Sequence, residues 1–152
     1  MTFEFTIDTT GIEREIESRM TEIKTGVQDS MANAFATMIH QNFGADGSSR
    51  PAEWLPLTSK YAIAYHDGDT TPTLILSGDL QASIQITEGN PEFSEVFTNN
   101  EYAAKHQWGD RENNLPARPF FPITSDGELT PQAMDVVVAA ANLELERQLK
   151  QI

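Results

Sequence analysis

Apolar residues recur along this chain first at steps of two and then at steps of three and four. Phe3, Phe5 and Ile7 alternate with polar neighbours between Thr2 and Ile7, which predicts a half-buried strand. Thr10, with Glu13 three residues later, reads as a capping box that opens a helix. Ile12, Ile16, Met20, Ile23, Val27, Met31, Phe35 and Met38 then form a single apolar stripe. They predict an amphipathic helix of about thirty residues that ends near Gly44, a C-terminal breaker. At ~1.5 Å per residue it spans about 45 Å, longer than a small domain is wide. Glu13, Arg14, Glu17, Glu22 and Lys24 occupy its other face. Two readings of the stripe stay open: it packs on the chain's own sheet, or part of the helix overhangs and packs on a neighbouring subunit.

Beyond Gly44 the punctuation is dense. A turn-rich loop runs to Arg50, and Pro51 to Leu57 is apolar but hemmed in by prolines, so it cannot be a regular central strand. Thr58 caps a short helix from Ser59 to about Ala64 that buries Tyr61 and Ile63. A polar loop from His66 to Thr73 leads to the apolar run Leu74-Ile75-Leu76 and a turn at Ser77-Gly78-Asp79. Ala82, Ile84 and Ile86 alternate with Ser83, Gln85 and Thr87 as a strand with one wet face. Phe93 to Thr98 is its returning partner across a loop of about five residues, completing an antiparallel hairpin. A short helix or turn follows from Asn99 to Gln107, broken at Trp108-Gly109-Asp110; Arg111 to Pro119 reads as an exposed loop, and Pro119 to Ile123 as the start of an edge strand. Thr130 then caps a C-terminal helix with Pro131 at its first position and a stripe of Met134, Val137, Val138, Ala141, Leu145 and Leu149. The expected fold is α+β: residues 1–152 as a single domain, with a small antiparallel sheet of about four strands packed against the long N-terminal helix and the C-terminal helix.

Composition changes this picture mainly through charge. The chain of 152 residues carries 23 Asp and Glu against 10 Lys and Arg, a formal net charge of −13. The acids are spread evenly, eleven before Ser77 and twelve after it, so they form no acidic tail. Such a field repels phosphate backbones and makes sequence-specific DNA binding a poor reading, while leaving room for DNA to slide past an acidic wall. The absence of cysteine excludes disulfides, thiol catalysis and cysteine-ligated zinc. Met1 to Phe5 lacks the basic region and apolar run of a signal peptide, and no apolar run approaches a membrane span. The expectation is a soluble protein made in a cytoplasm.

Candidate chemistry is sparse. His40, His66 and His106 have no metal-ligand partner at helical spacing, and His66-Asp67-Gly68-Asp69 lacks the further oxygen ligands of a calcium loop. His106 could act as a general base only with an aimed partner such as Asp110 or Glu101, and no serine sits in a nucleophile elbow. The glycines at 44 and 47 lack both the phosphate-loop lysine and the dinucleotide spacing. No catalytic, cofactor-binding or metal-binding residue is assigned. What stands out instead is aromatic: Trp54, Trp108, Phe120 and Phe121 sit beside prolines or glycines in loops, with Arg118 among them. Aromatics and arginine are enriched at protein interfaces, and proline lowers the entropy lost on docking. These five are the candidate interface residues; the competing reading is that the aromatics plug the domain's own core while Arg118 pairs with a nearby acid.

Four segments in order carry a resemblance: Trp54-x-Pro56-Leu57 with Tyr61, Leu76-Ser77-Gly78-x-Leu80-x-x-Ser83-Ile84, Tyr102-Ala103-x-x-His106-x-x-Gly109, and Pro116-Ala117-Arg118-Pro119-Phe120-Phe121. Together they resemble the Mu-type virion morphogenesis, or tail completion, proteins of bacteriophages, relatives of the neck and minor tail proteins at the head–tail junction. The resemblance implies a structural protein and no enzyme: a homo-oligomeric, sixfold ring around the DNA channel that helps join tail to head. The implied partners are the tail tube or terminator and the head connector, with DNA passing nearby without specific binding and no membrane. Assembly would take place in the host cytoplasm. Tyr102, Ala103, His106 and Gly109 would form a structural turn, and Pro116 to Phe121 a loop and edge strand holding the sheet or the next subunit. Arg111 to Leu115 departs from that pattern, being longer and more polar than it expects. The alternative suggested by the charge is an acidic DNA mimic or regulatory module bound to a basic partner.

Overall fold

A computed structural model describes residues 8–44, 47, 49–71 and 73–151. The strand expected from Thr2 to Ile7 lies outside them. Element order is α1 (Thr10–Phe43), α2 (Ser59–Tyr65), α3 (Asp79–Ala82), β1 (Ile84–Thr87), β2 (Glu95–Thr98), α4 (Ala103–Trp108) and α5 (Pro131–Leu149).

Helix α1 is the axis of the molecule. Its N-cap is Thr9 rather than Thr10; the Thr9 hydroxyl donates to the Glu13 carboxylate at 2.8 Å, and the Thr10 amide donates to Asp8. The expected capping box does not form: Thr9 and Glu13 meet side chain to side chain, and the Thr9 side chain caps no amide of α1. At the other end Gly44 takes an extended conformation, so it ends the helix without using a left-handed backbone. The two Ser/Thr-capped helices follow the sequence closely: the Thr58 and Thr130 hydroxyls accept from the Tyr61 and Ala133 amides.

Among the described residues the sheet is one antiparallel hairpin, smaller than the four strands expected. Ile84 pairs with Thr98 and Ile86 with Val96, and residues 88–94 connect the strands. The strand starts at Ile84, because Ala82 closes the α3 turn and is exposed. The connection is tied to α1: the Asn33 amide donates to Glu88 at 2.7 Å and the Gly89 N–H to Asp29 at 2.9 Å.

Ile39 and Phe43 of α1 form the core with Trp54, Leu80, Ala103 and Phe120, and Phe35, Leu74, Ile84, Val96 and Phe121 pack around it. The Phe43 and Phe120 rings lie 5.0 Å apart. The expected edge strand at Pro119 to Ile123 shrinks to a single antiparallel bridge between Ile123 and Leu129. Pro119 and Pro122 have no N–H to give a ladder, and side chains take the ladder's place. The buried Gln107 carboxamide accepts from the amides of Phe120 and Phe121 at 3.0 Å each and donates to the Phe121 carbonyl at 3.1 Å. The Asn42 amide donates to the Phe120 carbonyl at 2.9 Å, and the Trp54 indole to the Pro119 carbonyl at 3.0 Å. Arg118 to Phe120 are buried, so the loop expected to be exposed is exposed at Arg111 to Asn114 and at Ala117 but not at its end.

Helix α5 lies along the middle of α1. Ser30 donates to the Ala140 carbonyl at 3.2 Å, and a Cβ on Gly26 would stand 2.9 Å from the ends of Glu144 and Gln148. The contact is made by small residues at close range.

Candidate assembly surfaces

The five candidate interface residues separate once placed in the fold. Trp54 and Phe120 are core residues. Phe121 is half-buried against them, its ring 6.2 Å from Phe35. The Arg50 guanidinium covers the Trp54 ring at 3.6 Å. Arg118 is only 7% exposed and its Nη2 donates to the Leu55 carbonyl at 3.3 Å, a backbone partner where an acid was the alternative expected. Trp108, at the end of α4, is 52% exposed and is the one of the five that presents most of its ring to solvent.

Larger apolar surfaces lie elsewhere. In the first half of α1, Ile12, Ile16 and Met20 are all exposed among the described residues, Ile12 by 60%. On α5, Met134, Val138, Leu145 and Leu149 are exposed too, while Ala133 and Val137 are buried. The stripe expected to pack inward thus faces out for most of its length. Helix α2 repeats this: Tyr61 and Ile63 are exposed and the buried residue is Ala62.

A third surface is concave. A groove of about 920 Å³ opens between the segments around Leu55–Leu57 and Leu74–Leu76 on one side and residues 100–118 on the other. Arg118, Arg111, His106 and His66 line it, against Asp79, whose carboxylate accepts from Ser77 at 2.7 Å. In a chain with more than twice as many acids as bases, this is a local positive field. The Arg118 Nε is buried and has no hydrogen-bond partner, as is the His106 Nδ1. Burial holds Arg118 below the ordinary guanidinium range. Burial, and then the charge of Arg118, lowers His106.

The geometry offers no acid–base dyad at His106. Asp110, one of the two partners considered along with Glu101, instead meets Lys105 at 3.3 Å and accepts from Asn113. The loop His66 to Asp69 serves α2: the Gly68 amide donates back to Ala62 at 2.9 Å, and Asp69 accepts from the Thr71 hydroxyl and amide, which lower its pKa. Among the described residues no cluster of three His, Asp or Glu could hold a metal ion, and no helix is long and apolar enough to cross a membrane.

Residues 8–137 match the phage virion morphogenesis family. The chain belongs to that family. The matched span begins just before α1, takes in the whole core and groove, and stops within α5. The phage virion morphogenesis family is one of virion structure and assembly. An uncharacterized protein of Methanocaldococcus jannaschii is 27% identical over 104 residues, which cover 65% of this chain and 76% of that protein. No solved structure matches.

Two residues that organise the family domain here went unnoticed in the sequence, Asn42 and Gln107. Both are buried amides whose partners are backbone groups far along the chain. The available signal was the paired prolines at 119 and 122, which remove ladder donors and so call for side-chain substitutes. Gly109 does have a readable role. It sits at φ 81°, and a Cβ there would stand 3.0 Å from the Ala117 backbone nitrogen, so the turn after α4 needs glycine.

Proposed function

We propose that this member of the phage virion morphogenesis family is a tail completion or neck subunit. Copies form a ring, sixfold by analogy, around the DNA channel and help join tail to head. Its neighbours are the tail tube or terminator on one side and the head connector on the other. The observation that carries the reading is the bare apolar stripe of α1: Ile12, Ile16 and Met20 are exposed on a helix that the described residues bury only in its second half. Solvated apolar surface of that extent favours burial against a second subunit. The net charge of −13 supports a lumen past which DNA slides without adhering. Of the five candidate interface residues, Trp108 is the one whose exposure suits a contact between subunits.

Deleting the gene and examining the lysate by negative-stain microscopy tests this. The expected result is filled heads separate from unjoined or wrongly terminated tails. Normal infectious particles would overturn the assembly reading in favour of an acidic module that binds a basic partner.

A further inference from the structure

The groove beside Arg118 combines apolar walls with buried positive charge, and its features ask for one kind of occupant. Leu55, Ile75 and Leu76 are exposed at it, offering an apolar wall. Arg111 and Arg118 offer positive charge, and the Arg118 Nε is a buried donor with no acceptor. A buried unsatisfied donor on a charged group is costly to leave unmade, and an incoming carboxylate or carbonyl would relieve that cost. The fitting ligand is therefore an extended segment that sends aromatic or aliphatic side chains one way and an acid the other, as alternate residues of a strand do.

The chain carries such a segment. Thr2 to Ile7 places Phe3, Phe5 and Ile7 on one side of the alternation and Glu4 on the other. It precedes the bare end of α1, and its own groove is out of reach. The Thr73 hydroxyl donates to the Phe43 carbonyl, fixing the groove at the opposite end of α1. The helix between Thr10 and Phe43 is about 50 Å long at its standard rise. The five residues from Phe5 to Thr10 extend ~17 Å at most. We propose that residues 2–7 of one copy dock in the Arg118 groove of the next, with Phe3 and Phe5 against the leucine wall and Glu4 beside Arg118 and Arg111. This rests on reading the chain as a subunit that meets copies of itself, and it names the contact by which it does so.

The absence of cysteine from the chain makes the test clean. Phe5→Cys and Leu76→Cys are introduced together in the full chain, which is oxidised mildly and mapped by peptide mass spectrometry. Leu76 is exposed, so the substitution spares the fold. The expected result is a ladder of multimers joined by links between positions 5 and 76 of different chains. Adding Glu4→Arg to this background is expected to reduce those links about tenfold, the loss of one charge-assisted contact. The control pairs Phe5→Cys with Leu143→Cys, which is exposed on α5 away from the groove. No 5–76 link, a link only within one chain, or as much linking in the control overturns the proposal. Because the readout uses purified chain, its failure would leave the particle phenotype of the deletion untouched, and normal particles would leave the link intact.

Discussion

The two halves of α1 carry apolar residues at the same spacing and meet opposite fates. From Phe35 to Phe43 the stripe is sealed by Trp54, Leu80 and Phe120; from Ile12 to Met20 it meets solvent. Helical periodicity is a property of one segment, whereas burial depends on what stands opposite it. In the second half the opposing surface is the Pro119–Pro122 clasp held by three side chains. In the first half the described residues supply nothing, and the family's role in virion assembly makes another subunit the natural cover.

The contrast can be broken most severely at the clasp. Phe120→Ala empties a fully buried site and is expected to cost about 3–5 kcal/mol in urea unfolding. A loss below ~1 kcal/mol would mean the second half of α1 is not sealed by this ring. Gln107→Leu keeps the volume but strands two amides and a carbonyl, for an expected loss of about 2–3 kcal/mol. Next comes pH. His106 is held low by burial and by Arg118, so the unfolded chain protonates there more readily than the folded one. Stability from this source is full above about pH 6.5 and declines as the pH falls below it. His106→Asn should flatten the pH dependence of the unfolding midpoint over that range, and parallel profiles for both proteins would count against it.

On the exposed half the expectation reverses. Ile12→Ser, Ile16→Ser and Met20→Ser together should change the unfolding free energy by no more than about 0.5 kcal/mol each, yet abolish head–tail joining when carried by the phage. A large loss of stability would show that this stripe is covered within the chain after all. The smallest effect belongs to the α1–α5 contact. Gly26→Ala gains helix propensity of roughly 1 kcal/mol against displacement of the flexible ends of Glu144 and Gln148, so thermal unfolding should move by a degree or two or less in either direction.

These elements also mark where the sequence could be read and where it could not. The extents of α1, α2 and α5, the Thr58 and Thr130 caps and the existence of the hairpin follow from local signals, because capping and alternation act over three or four residues. The outward turn of α5 could not be read that way. Stripes are judged by large side chains such as Met134, Val138 and Leu145, but close packing of two helices favours small ones, and Gly26, Ser30 and Ala140 decide which face turns inward. The aromatics followed the same logic in reverse. Trp54 and Phe120 are large and proline-flanked, and they looked like docking residues until Asn42 and Gln107 were seen to fasten that segment inside. Those partnerships span 78 residues for Asn42 with Phe120 and 65 for Trp54 with Pro119, beyond the reach of any window.

That long span bears on how the chain acquires its shape in time. Helix α1 is built from neighbours and can form as soon as its residues exist, in about a microsecond. The clasp must wait for a stretch some eighty residues further on, and contacts between distant positions are slow to find. On a ribosome, Phe43 and Ile39 would therefore stay bare until Phe120 has emerged, alongside an Ile12–Met20 surface that none of the described residues covers. The newborn chain thus shows two sticky regions, and the described fold closes the one around Phe43 only late in synthesis.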